Sequence, residues 1–400
     1  MIILGIETSC DETAIAIIKT SGKKGEPNPQ DALPECTVLS SLIHSQADLH
    51  SQFGGVYPTL AKREHGKNLV PLLQKALGEA KLQVKTELPA EKIETFRQEF
   101  KNGVAPQNPE LFEAFSGAEF LAQVPEIDLI AVTEGPGLEP ALWVGITFAE
   151  MLGRMWNVPV IPVNHMEGHI VGSLLRRESF EKRDFLTPAL AFLISGGHTE
   201  FVQVDQIGSY KVIGQTKDDA VGEAFDKVAR LLGMPYPGGP QISQAAKEAR
   251  EKGIPSPLKL PRPMIGSGDL NFSFSGIKTA VLYALRDLEK KHGTVTDEMK
   301  KGLALEFETA IVETLSAKLK SALDSINAAC LIVGGGVSAN DMIRQSFEQV
   351  SSEYGIPIFL PSKHVSGDNA LMIALAASYK NISFSPLKAK GTWRIDESRG

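Results

Sequence analysis

The chain has 400 residues, which is enough for two domains that each bury a core of their own. Its composition, 42% hydrophobic and 22% charged residues, is that of a globular protein and excludes a disordered chain. The formal net charge of −7 excludes a global basic field, so any binding of nucleic acid needs a local basic patch or a basic partner.

The three cysteines, Cys10, Cys36 and Cys330, are scattered and odd in number, which disfavours a disulfide framework and fits a reducing compartment. The N-terminus shows no basic leader, and no stretch approaches the ~18 apolar residues that a membrane helix needs. We therefore expect a cytoplasmic protein without a membrane segment.

The chain opens with a predicted β-hairpin. Residues 2–6 and 13–18 are apolar and rich in β-branched residues, and the short segment between them carries hydroxyls and the acids Asp11 and Glu12. Such a tip could line a phosphate or metal site, although an exposed polar turn is the commoner case for a single hairpin.

A strand over 37–43 and a helix over about 59–80 are predicted next. The polar face of this helix is predicted to carry Lys62, Arg63, His65 and Lys67. Residues 81 to about 124 are charged and contain few β-branched residues. Their helical spacing of apolar side chains predicts one or two helices, which form an insertion packed on the surface.

The near-continuous apolar run over 127–133 predicts a buried strand of a parallel sheet covered by helices. A glycine turn, a helix over 141–156 and a short strand over 158–163 follow. The first half of the chain therefore alternates strands and helices after its opening hairpin.

The segment Asn164-His165-Met166-Glu167-Gly168-His169 comes directly after that strand. Two histidines four residues apart lie roughly 40° apart around a helix, so both rings can reach one metal ion that takes a further ligand from elsewhere. Glu167 lies roughly 200° from His165 and points off this face, unlike the glutamate of the His-Glu-x-x-His protease motif. The spacing disfavours a zinc protease, but taken alone it is equally compatible with two structural histidines.

The second half of the chain repeats the plan. Strands over 188–194 and 200–204 flank the turn Ser195-Gly196-Gly197-His198-Thr199, which forms a second hairpin with glycines in place of the acids. Glycines beside a serine let backbone N–H groups approach an anion, as a phosphate site requires. Two such hairpins in matching positions predict two lobes of like build.

Asp218 and Asp219 are predicted in the first turn of a helix, where capping explains them, but capping does not explain Asp226 further along. The strand that begins at Cys330 runs into a triple glycine and a helix start, where a nucleoside can lie against backbone. Neither the Gly-x-Gly-x-x-Gly spacing nor a P-loop is present, which disfavours a Rossmann oxidoreductase and a P-loop NTPase. Asp368, before a last apolar helix, is either a helix cap or a third metal ligand.

Together these segments closely resemble the TsaD-type tRNA threonylcarbamoyladenosine transferases. The matching stretches are residues 5–13, 135–138, 164–169, 195–199, 222–227, 272–276, 335–340 and 368–369. Eight motifs in one order make the resemblance specific, and it covers the chain outside the insertion. His198 is similar to the bacterial and organellar branch, since archaeal and eukaryotic relatives usually carry Asn there.

The resemblance implies an α/β fold of two similar actin/hexokinase/Hsp70-like lobes with a helical insertion in the first. The implied limits are residues 1–185 for the first lobe with the insertion at about 81–124, 186–371 for the second, and 372–400 for a C-terminal helix and tail that return to the first. The implied activity is transfer of threonylcarbamoyl from threonylcarbamoyl-AMP to N6 of the adenosine 3′ of the anticodon, in tRNAs that read codons beginning with A.

His165, His169 and Asp368 match the family's ligands for one divalent metal ion, iron by family with zinc as the alternative. Asp11 and Glu12 match acids linked to the transfer step. The positions that contact the adenylate in the family are matched by Leu193, Ile194, Ser195, Gly196, Gly197, Asp226, Gly239 and Asn340. Ser243 is a departure, because many relatives have Asp there, and it puts a sugar contact at this position in doubt.

As a mechanistic hypothesis, the metal polarises the threonylcarbamoyl group, backbone N–H groups at Ser195 to Gly197 hold the phosphate, and Asp11 or Glu12 accepts a proton from the attacking amine. Because the chain is acidic, tRNA phosphates are expected to meet basic clusters or partner proteins, which the resemblance implies to be of the TsaB and TsaE types unless the chain acts as a homodimer. The basic clusters are residues 62–67, Arg176-Arg177 with Lys182-Arg183, and Lys388-Lys390-Arg394.

Three rival hypotheses remain open at this point. The first is an ATP-hydrolysing kinase or chaperone-like protein of the same fold, in which the histidines are structural. The second is a metalloprotease, which the position of Glu167 disfavours. The third is a non-catalytic scaffold that binds a nucleotide only to organise its partners.

Overall fold

The structure is a computed structural model, and it describes residues 1–21, 28–29, 36–175, 186–382 and 386–397. The chain divides into two compact units. Unit 1 comprises Met1–Leu49, Val56–Phe185 and Asp368–Gly400, and unit 2 comprises His50–Gly55 and Leu186–Gly367. The return to unit 1 comes at Asp368, a few residues before the boundary at residue 371 that we expected.

The helices and strands of the first half of the chain follow one another from the N-terminus to the histidine segment. They are β1 (Ile2–Glu7), β2 (Glu12–Thr20), β3 (Cys36–Ser45), α1 (Ala47–Ser51), α2 (Pro58–Ala80), β4 (Val84–Glu87), α3 (Ala90–Gly103), α4 (Pro109–Ser116), β5 (Gln123–Pro125), β6 (Leu129–Gly135), α5 (Glu139–Trp156), β7 (Val160–Asn164) and α6 (His165–Ser173). A 3₁₀ turn over Glu119–Ala122 precedes β5.

The second half continues with a similar succession. Its elements are β8 (Ala189–Ile194), β9 (Thr199–Gln206), β10 (Ser209–Gln215), α7 (Val221–Leu231), α8 (Gly238–Lys252), α9 (Ser275–His292), α10 (Asp297–Ile326), β11 (Cys330–Gly334), α11 (Asp341–Tyr354), β12 (Ile358–Phe359) and α12 (Ala370–Ala377). Short 3₁₀ turns cover Gly336–Ala339 and Lys363–Val365. The sequence patterns identified most of these elements but missed β10, α10 and β12.

The main sheet of each unit has the same strand order. In unit 1 the order is β3-β2-β1-β6-β7, with β2 antiparallel to both its neighbours and β1, β6 and β7 parallel. In unit 2 the order is β10-β9-β8-β11-β12 with the same directions. This repetition confirms the predicted fold class: α/β, with two lobes of like build.

The segment expected to be a surface insertion contributes to the core of unit 1. It contains the two helices α3 and α4, as predicted, and a two-stranded ribbon of β4 and β5 that the sequence did not indicate. Phe100 and Phe115 are buried and pack edge to face at 5.6 Å, and Phe115 packs against Phe148 of α5 in the same way. These contacts make the insertion part of the folded unit.

The centre of unit 1 is fixed where α12 lies against the sheet. A Cβ added to Gly5 of β1 would stand 2.3 Å from the carbonyl oxygen of Ala370 and 3.0 Å from the Cβ of Ala374. Only glycine therefore allows this approach of helix and strand.

Among the described residues, no helix is long and apolar enough to cross a membrane.

We expect Gly5→Ala to lower the free energy of unfolding by about 1–3 kcal/mol, because the added methyl group meets backbone that cannot easily move. Gly78→Ala on α2 is the matched control, since its Cβ would enter open space and the change should stabilise the helix by about 0.5–1 kcal/mol. Urea denaturation of both variants measures the difference. Equal stabilities for the two variants would contradict the packing described.

Candidate metal centre and nucleotide site

The two histidines are presented by the first turns of α6. β7 ends at Asn164, whose Oδ1 accepts hydrogen bonds from the backbone N–H groups of Met166 at 2.9 Å and Glu167 at 3.3 Å, so Asn164 caps the helix. His165 and His169 then lie one turn apart with ring centroids 4.7 Å from each other, and both are buried. The predicted pairing of the rings on one helix face is therefore present.

Asp368 completes the group. Its Oδ1 lies 3.3 Å from Nε2 of His165 and 3.2 Å from Nε2 of His169. α12 is capped by Asn369, whose Oδ1 accepts from the N–H of Met372 at 3.0 Å, so the alternative of Asp368 as the helix cap is wrong. The three side chains can each offer one ligand atom, and these atoms lie within 4.8 Å of one another.

Close packing of α12 on α6 brings the carboxylate to the imidazoles. A Cβ on Gly172 would lie 2.8 Å from the Cβ of Met372, and one on Gly168 would lie 3.0 Å from Cδ1 of Ile373. Glycine at both positions therefore lets the two helices approach. Because Asp368 directly precedes α12, this approach determines where its carboxylate lies.

Glu7 at the end of β1 orients His165. Its Oε2 lies 3.0 Å from Nδ1 of the ring and also accepts a hydrogen bond from the Thr133 hydroxyl at 2.6 Å. The Ser9 hydroxyl lies 3.3 Å from the same nitrogen. A carboxylate on Nδ1 directs Nε2 toward Asp368 as the ligand atom, which is the usual arrangement around a metal-binding histidine.

Charge and burial act against each other in this group. Burial lowers the pKa of His165, but the carboxylates of Asp368 and Glu7 outweigh it and hold that pKa well above its ordinary value. Burial raises the pKa of Asp368, and the two imidazoles outweigh this and hold it below its usual range. Burial keeps the pKa of His169 low, and its Nε2 is buried without a hydrogen bond.

The donor set fits a divalent transition metal. Two imidazole nitrogens and one carboxylate oxygen leave coordination positions for substrate or water, unlike a closed structural site. Nε2 of His169 is buried without a hydrogen bond although Oδ1 of Asp368 lies 3.2 Å away, and a cation shared by the two atoms would satisfy both. Glu167 does not join the group, since its Oε2 forms an ion pair with Nζ of Lys380 at 2.6 Å. The helical angle had predicted that Glu167 points elsewhere.

Asp11 and Glu12 lie at the tip of the β1–β2 hairpin. Asp11 is buried, and burial together with the charges of Asp11 and Asp368 raises the pKa of Glu12 well above its ordinary value. A carboxylate with a raised pKa is a better proton acceptor near neutral pH. The tip is hydrogen-bonded to His65 through the carbonyl oxygen of Cys10. The sequence predicted His65 on the polar face of α2, and that prediction is wrong because His65 is fully buried.

The predicted phosphate loop of unit 2 follows β8. A Cβ on Gly335, which has φ +92°, would stand 2.4 Å from the carbonyl oxygen of Ile194, and one on Gly222 would stand 2.6 Å from that of Ser195. The ends of β8, β11 and α7 thus converge at one point. Gly196 and Gly197 are exposed, with open space around them, so their backbone is accessible to an anion.

Leu193 and Ile194, the other two predicted positions on this segment, are fully buried in β8. Their side chains belong to the core, so only backbone groups at the strand end are available to a ligand. Asp226 lies in α7, where its Oδ1 accepts a hydrogen bond from the N–H of Gly238 at 2.7 Å and ties α7 to the start of α8. Gly239, next in α8, faces open space.

Asn340 uses its whole side chain within the protein. Its Oδ1 accepts from the N–H groups of Met342 at 2.9 Å and Ile343 at 3.0 Å and so caps α11, while its Nδ2 donates to Ser243 Oγ at 2.7 Å and to Glu308 Oε1 at 2.9 Å. Its amide is therefore an organiser of the loop, with no hydrogen-bonding group to spare.

Asp218 has a role that the sequence did not indicate. α7 begins at Val221, so the prediction that Asp218 and Asp219 lie in its first turn is wrong. The carboxylate of Asp218 instead accepts from the N–H groups of Phe274 at 2.8 Å and Ser275 at 3.3 Å and from the hydroxyls of Ser273 and Ser275. It thereby fixes the start of α9.

Fold and site together define an α/β protein of two similar units, one with a buried two-histidine, one-carboxylate group and the other with glycine-rich loops at its strand ends. A family model described as "TsaD: tRNA N6-adenosine threonylcarbamoyltransferase" matches residues 37–88 and 111–375. The chain belongs to this family. The match leaves out residues 1–36 and 376–400 and is interrupted at residues 89–110, which lie within the segment that we expected to be an insertion.

Curated relatives cover nearly the whole chain. The tRNA N6-adenosine threonylcarbamoyltransferase of Burkholderia mallei is 38% identical over 382 residues, 95% of this chain and 92% of that protein. The proteins of the same name from Variovorax paradoxus and Thermodesulfovibrio yellowstonii are 39% and 38% identical over 380 residues, 95% of this chain and 90% and 94% of theirs. All three are bacterial, in line with the branch that His198 indicates.

Solved structures offer weaker likenesses. The activator of 2-hydroxyisocaproyl-CoA dehydratase from Clostridium difficile has a TM-score of 0.43 at 13% identity over 94% of both chains. A ROK family glucokinase from Streptomyces griseus has a TM-score of 0.40 at 12% identity over 94% of this chain and 98% of its own. Neither likeness bears on what this chain does.

Three of the six lysines and arginines in the described basic clusters are paired with acids of the same unit. Arg63 lies 3.0 Å from Glu110, Lys67 lies 2.6 Å from Glu64, and Arg394 forms two bonds of 2.9 and 3.0 Å with Asp396. The cluster of Arg176-Arg177 with Lys182-Arg183 lies outside the described residues. The described clusters therefore offer less positive charge than their sequence suggests.

We expect His169→Ala and Asp368→Ala to lose bound divalent metal, because each removes one of three ligand atoms. Glu7→Gln should keep all three ligands but weaken metal affinity by about 10–100-fold, since it disturbs the orientation of His165. Plasma mass spectrometry of purified protein and chelator competition measure the two effects. Glu167→Gln is the control and should retain metal, whereas full metal content in Asp368→Ala would refute the site.

The Asp218 carboxylate should make stability depend on pH. Burial is the largest single influence and raises its pKa, but the hydrogen bonds from residues 273–275 together outweigh it and hold the pKa below its ordinary value of 3.8. The contribution of this carboxylate to the free energy of unfolding is thus complete above pH 3.8, and it is lost as the pH falls through the pKa of the folded state. We expect the stability difference between wild type and Asp218→Asn to shrink across that range in thermal unfolding; a difference that grows toward low pH would contradict the assignment.

Proposed function

We propose that this chain transfers the threonylcarbamoyl group from threonylcarbamoyl-AMP to N6 of the adenosine 3′ of the anticodon, in tRNAs that read codons beginning with A. The observation that carries the proposal is the buried group of His165, His169 and Asp368 in a chain of the TsaD family. A kinase or chaperone-like protein would have no evident use for an orphaned imidazole nitrogen beside two potential ligands.

We assign His165, His169 and Asp368 as ligands of one divalent metal ion, iron by family resemblance with zinc as the alternative. When bound, such an ion supplies a Lewis acid for the carbonyl of the threonylcarbamoyl group. Glu7 keeps His165 in the orientation that this role needs, through its 3.0 Å contact with Nδ1. The protein's own part is to hold these ligands rigidly in a buried site.

The adenylate is assigned to unit 2. Backbone N–H groups of Gly196 and Gly197 are proposed to hold the phosphate and to stabilise it as AMP leaves, because exposed glycine backbone allows a close approach. Ser195 contributes by closing the turn, since its own N–H donates to the carbonyl oxygen of His198 at 2.8 Å. Asp226 contributes by fixing the start of α8 beside Gly239, and Asn340 by fixing the loop after β11. Leu193 and Ile194 contribute through backbone at the strand end.

Glu12 is proposed as the proton acceptor for the attacking amine; burial raises the pKa of Glu12 most, and the neighbouring charge of Asp11 raises it further. The exocyclic amine of adenosine is a weak nucleophile, so removing its proton as the new C–N bond forms lowers the barrier. AMP departs with the electron pair of the broken bond. A residue in this role contributes typically about 10²–10⁴-fold in rate.

Partner proteins are proposed to supply part of the tRNA contact, because three of the six basic side chains in the described clusters are paired with acids. Family resemblance suggests accessory proteins of the TsaB and TsaE types, with a homodimer as the alternative. The three free cysteines and the tRNA substrate favour the cytoplasm as the place of action. A salt-independent affinity for tRNA would argue against phosphate contacts of either origin.

The decisive experiment combines purified protein, the accessory proteins, tRNA and threonylcarbamoyl-AMP labelled in its threonine. We expect label in the tRNA that disappears with chelator, and a loss of about 10²–10⁴-fold in kcat for Glu12→Gln. A tRNA with guanosine in place of the target adenosine is the matched control and should stay unlabelled, since it lacks the N6 amine.

Each rival predicts another result. An ATP-hydrolysing kinase would release phosphate from ATP and leave the tRNA unlabelled. A scaffold would permit full labelling when both Asp368 and Glu12 are replaced. A protease would cleave protein substrates in a chelator-sensitive manner without labelling RNA. Absence of label with wild-type protein under all of these conditions would reject the proposed function.

A further inference from the structure

His65 is a buried polar residue to which the proposed reaction assigns no part. It lies on α2 and is 0% exposed, among Ala61, Leu69 and other apolar residues of that helix face. A histidine in such a place is retained at a cost unless both ring nitrogens are hydrogen-bonded. Both of them are, and both bonds lead toward the tip of the β1–β2 hairpin.

The partners of His65 define its tautomer. Nε2 lies 3.0 Å from the carbonyl oxygen of Cys10, which can only accept, so Nε2 carries the hydrogen. Nδ1 lies 2.8 Å from the Thr13 hydroxyl and 3.3 Å from Nε2 of Gln46, both of which can donate to it. The ring thus joins residue 10 at the tip to residue 13 at the start of β2.

The hairpin tip is held on two sides. The backbone N–H of Gln46 donates to the carbonyl oxygen of Asp11 at 3.0 Å, next to the carbonyl that His65 binds. On the other side, the carbonyl oxygen of Ser9 accepts from the N–H of Leu138 at 2.7 Å, and the Ser9 hydroxyl lies 3.3 Å from Nδ1 of His165. The loop from Ser9 to Glu12 therefore runs from the metal group to His65.

We infer that His65 is a positioning residue for the transfer reaction: it holds the loop from Ser9 to Glu12 in the conformation that aims Asp11 and Glu12. The inference rests on the proposed function, because it takes those two acids as participants. His65 is neither an assigned substrate contact nor a metal ligand, and it acts on the loop through the backbone carbonyl of Cys10 and the hydroxyl of Thr13. Misplacing a catalytic group by about 1 Å is enough to cost about 10²-fold in rate.

The test compares three substitutions in the labelling assay. His65→Ala removes both hydrogen bonds and should lower kcat by about 10–100-fold, with the KM for tRNA within threefold of wild type. His65→Gln should recover most of kcat, because its amide N–H can still donate to the Cys10 carbonyl. His65→Asn, whose shorter amide reaches only the Thr13 side, should remain close to His65→Ala.

A stability control separates positioning from general weakening of the unit. Leu73→Ala removes a fully buried side chain from the same helix face and should destabilise the unit at least as much as His65→Ala, yet keep kcat within threefold of wild type. Hydrogen exchange measured on a peptide covering residues 8–14 provides a readout independent of activity. Exchange there should be faster in His65→Ala than in Leu73→Ala.

Three results would overturn the inference: a kcat for His65→Ala within threefold of wild type, an equal loss of kcat in Leu73→Ala, or a His65→Gln variant no more active than His65→Ala. Failure of the proposed function can be distinguished from failure of this inference, because in the former case the wild-type protein labels no tRNA. In that event unchanged exchange over residues 8–14 in His65→Ala also rejects the loop-holding role, and faster exchange supports it.

Discussion

The approach of α12 to α6 is the constraint on which the candidate metal centre depends. Gly168 and Gly172 carry no side chains, so the helix that begins after Asp368 can lie against the helix that carries His165 and His169. With a methyl group at Gly172, only 2.8 Å would separate it from Met372, and the helices would have to move apart. The distance between the carboxylate and the two imidazoles is therefore set by glycines, which are not themselves ligands.

Burial of this group has an energetic consequence. The two imidazoles and the carboxylate of Glu7 are buried, and the carboxylate of Asp368 beside them is 19% exposed. Charges in such a place stabilise a fold only when they are paired and hydrogen-bonded, and Nε2 of His169 has no such bond. A cation accepting all three ligand atoms would satisfy that nitrogen and offset the cost of burying the carboxylates. The arrangement thus favours a bound ion over a purely structural cluster.

The sequence predicted side-chain positions correctly where a single helix or strand determines them. The spacing of His165 and His169 was enough to predict two rings on one helix face, and the angle of Glu167 was enough to separate it from them. The repeated hairpins similarly predicted two sheets of like build, because alternation of strands and helices is local to each segment. The identity of Asp368 as the third member came from family resemblance, since helix capping explained it equally well from sequence alone.

The predictions that were wrong concern side chains whose position depends on another element of the fold. His65 and Asp218 are polar residues whose partners lie on other elements, and polar side chains are expected at the surface or at the nearest helix end when only spacing is considered. His65 instead bonds to Cys10 and Thr13, and Asp218 bonds to the segment that starts α9. Such bonds become visible only when the tertiary structure supplies the partner.

The two units use one sheet order for different chemistry, and the difference lies in the hairpin tips. In unit 1 the tip carries Asp11 and Glu12 and is bonded on both sides, so its acids are held in place. In unit 2 the tip carries Gly196 and Gly197, which are exposed and where an added Cβ would meet no other atom. A fixed carboxylate suits proton transfer, and exposed backbone suits an anion. The duplication therefore supplies one scaffold twice, and the few residues at each turn decide which half of a group-transfer reaction it can serve.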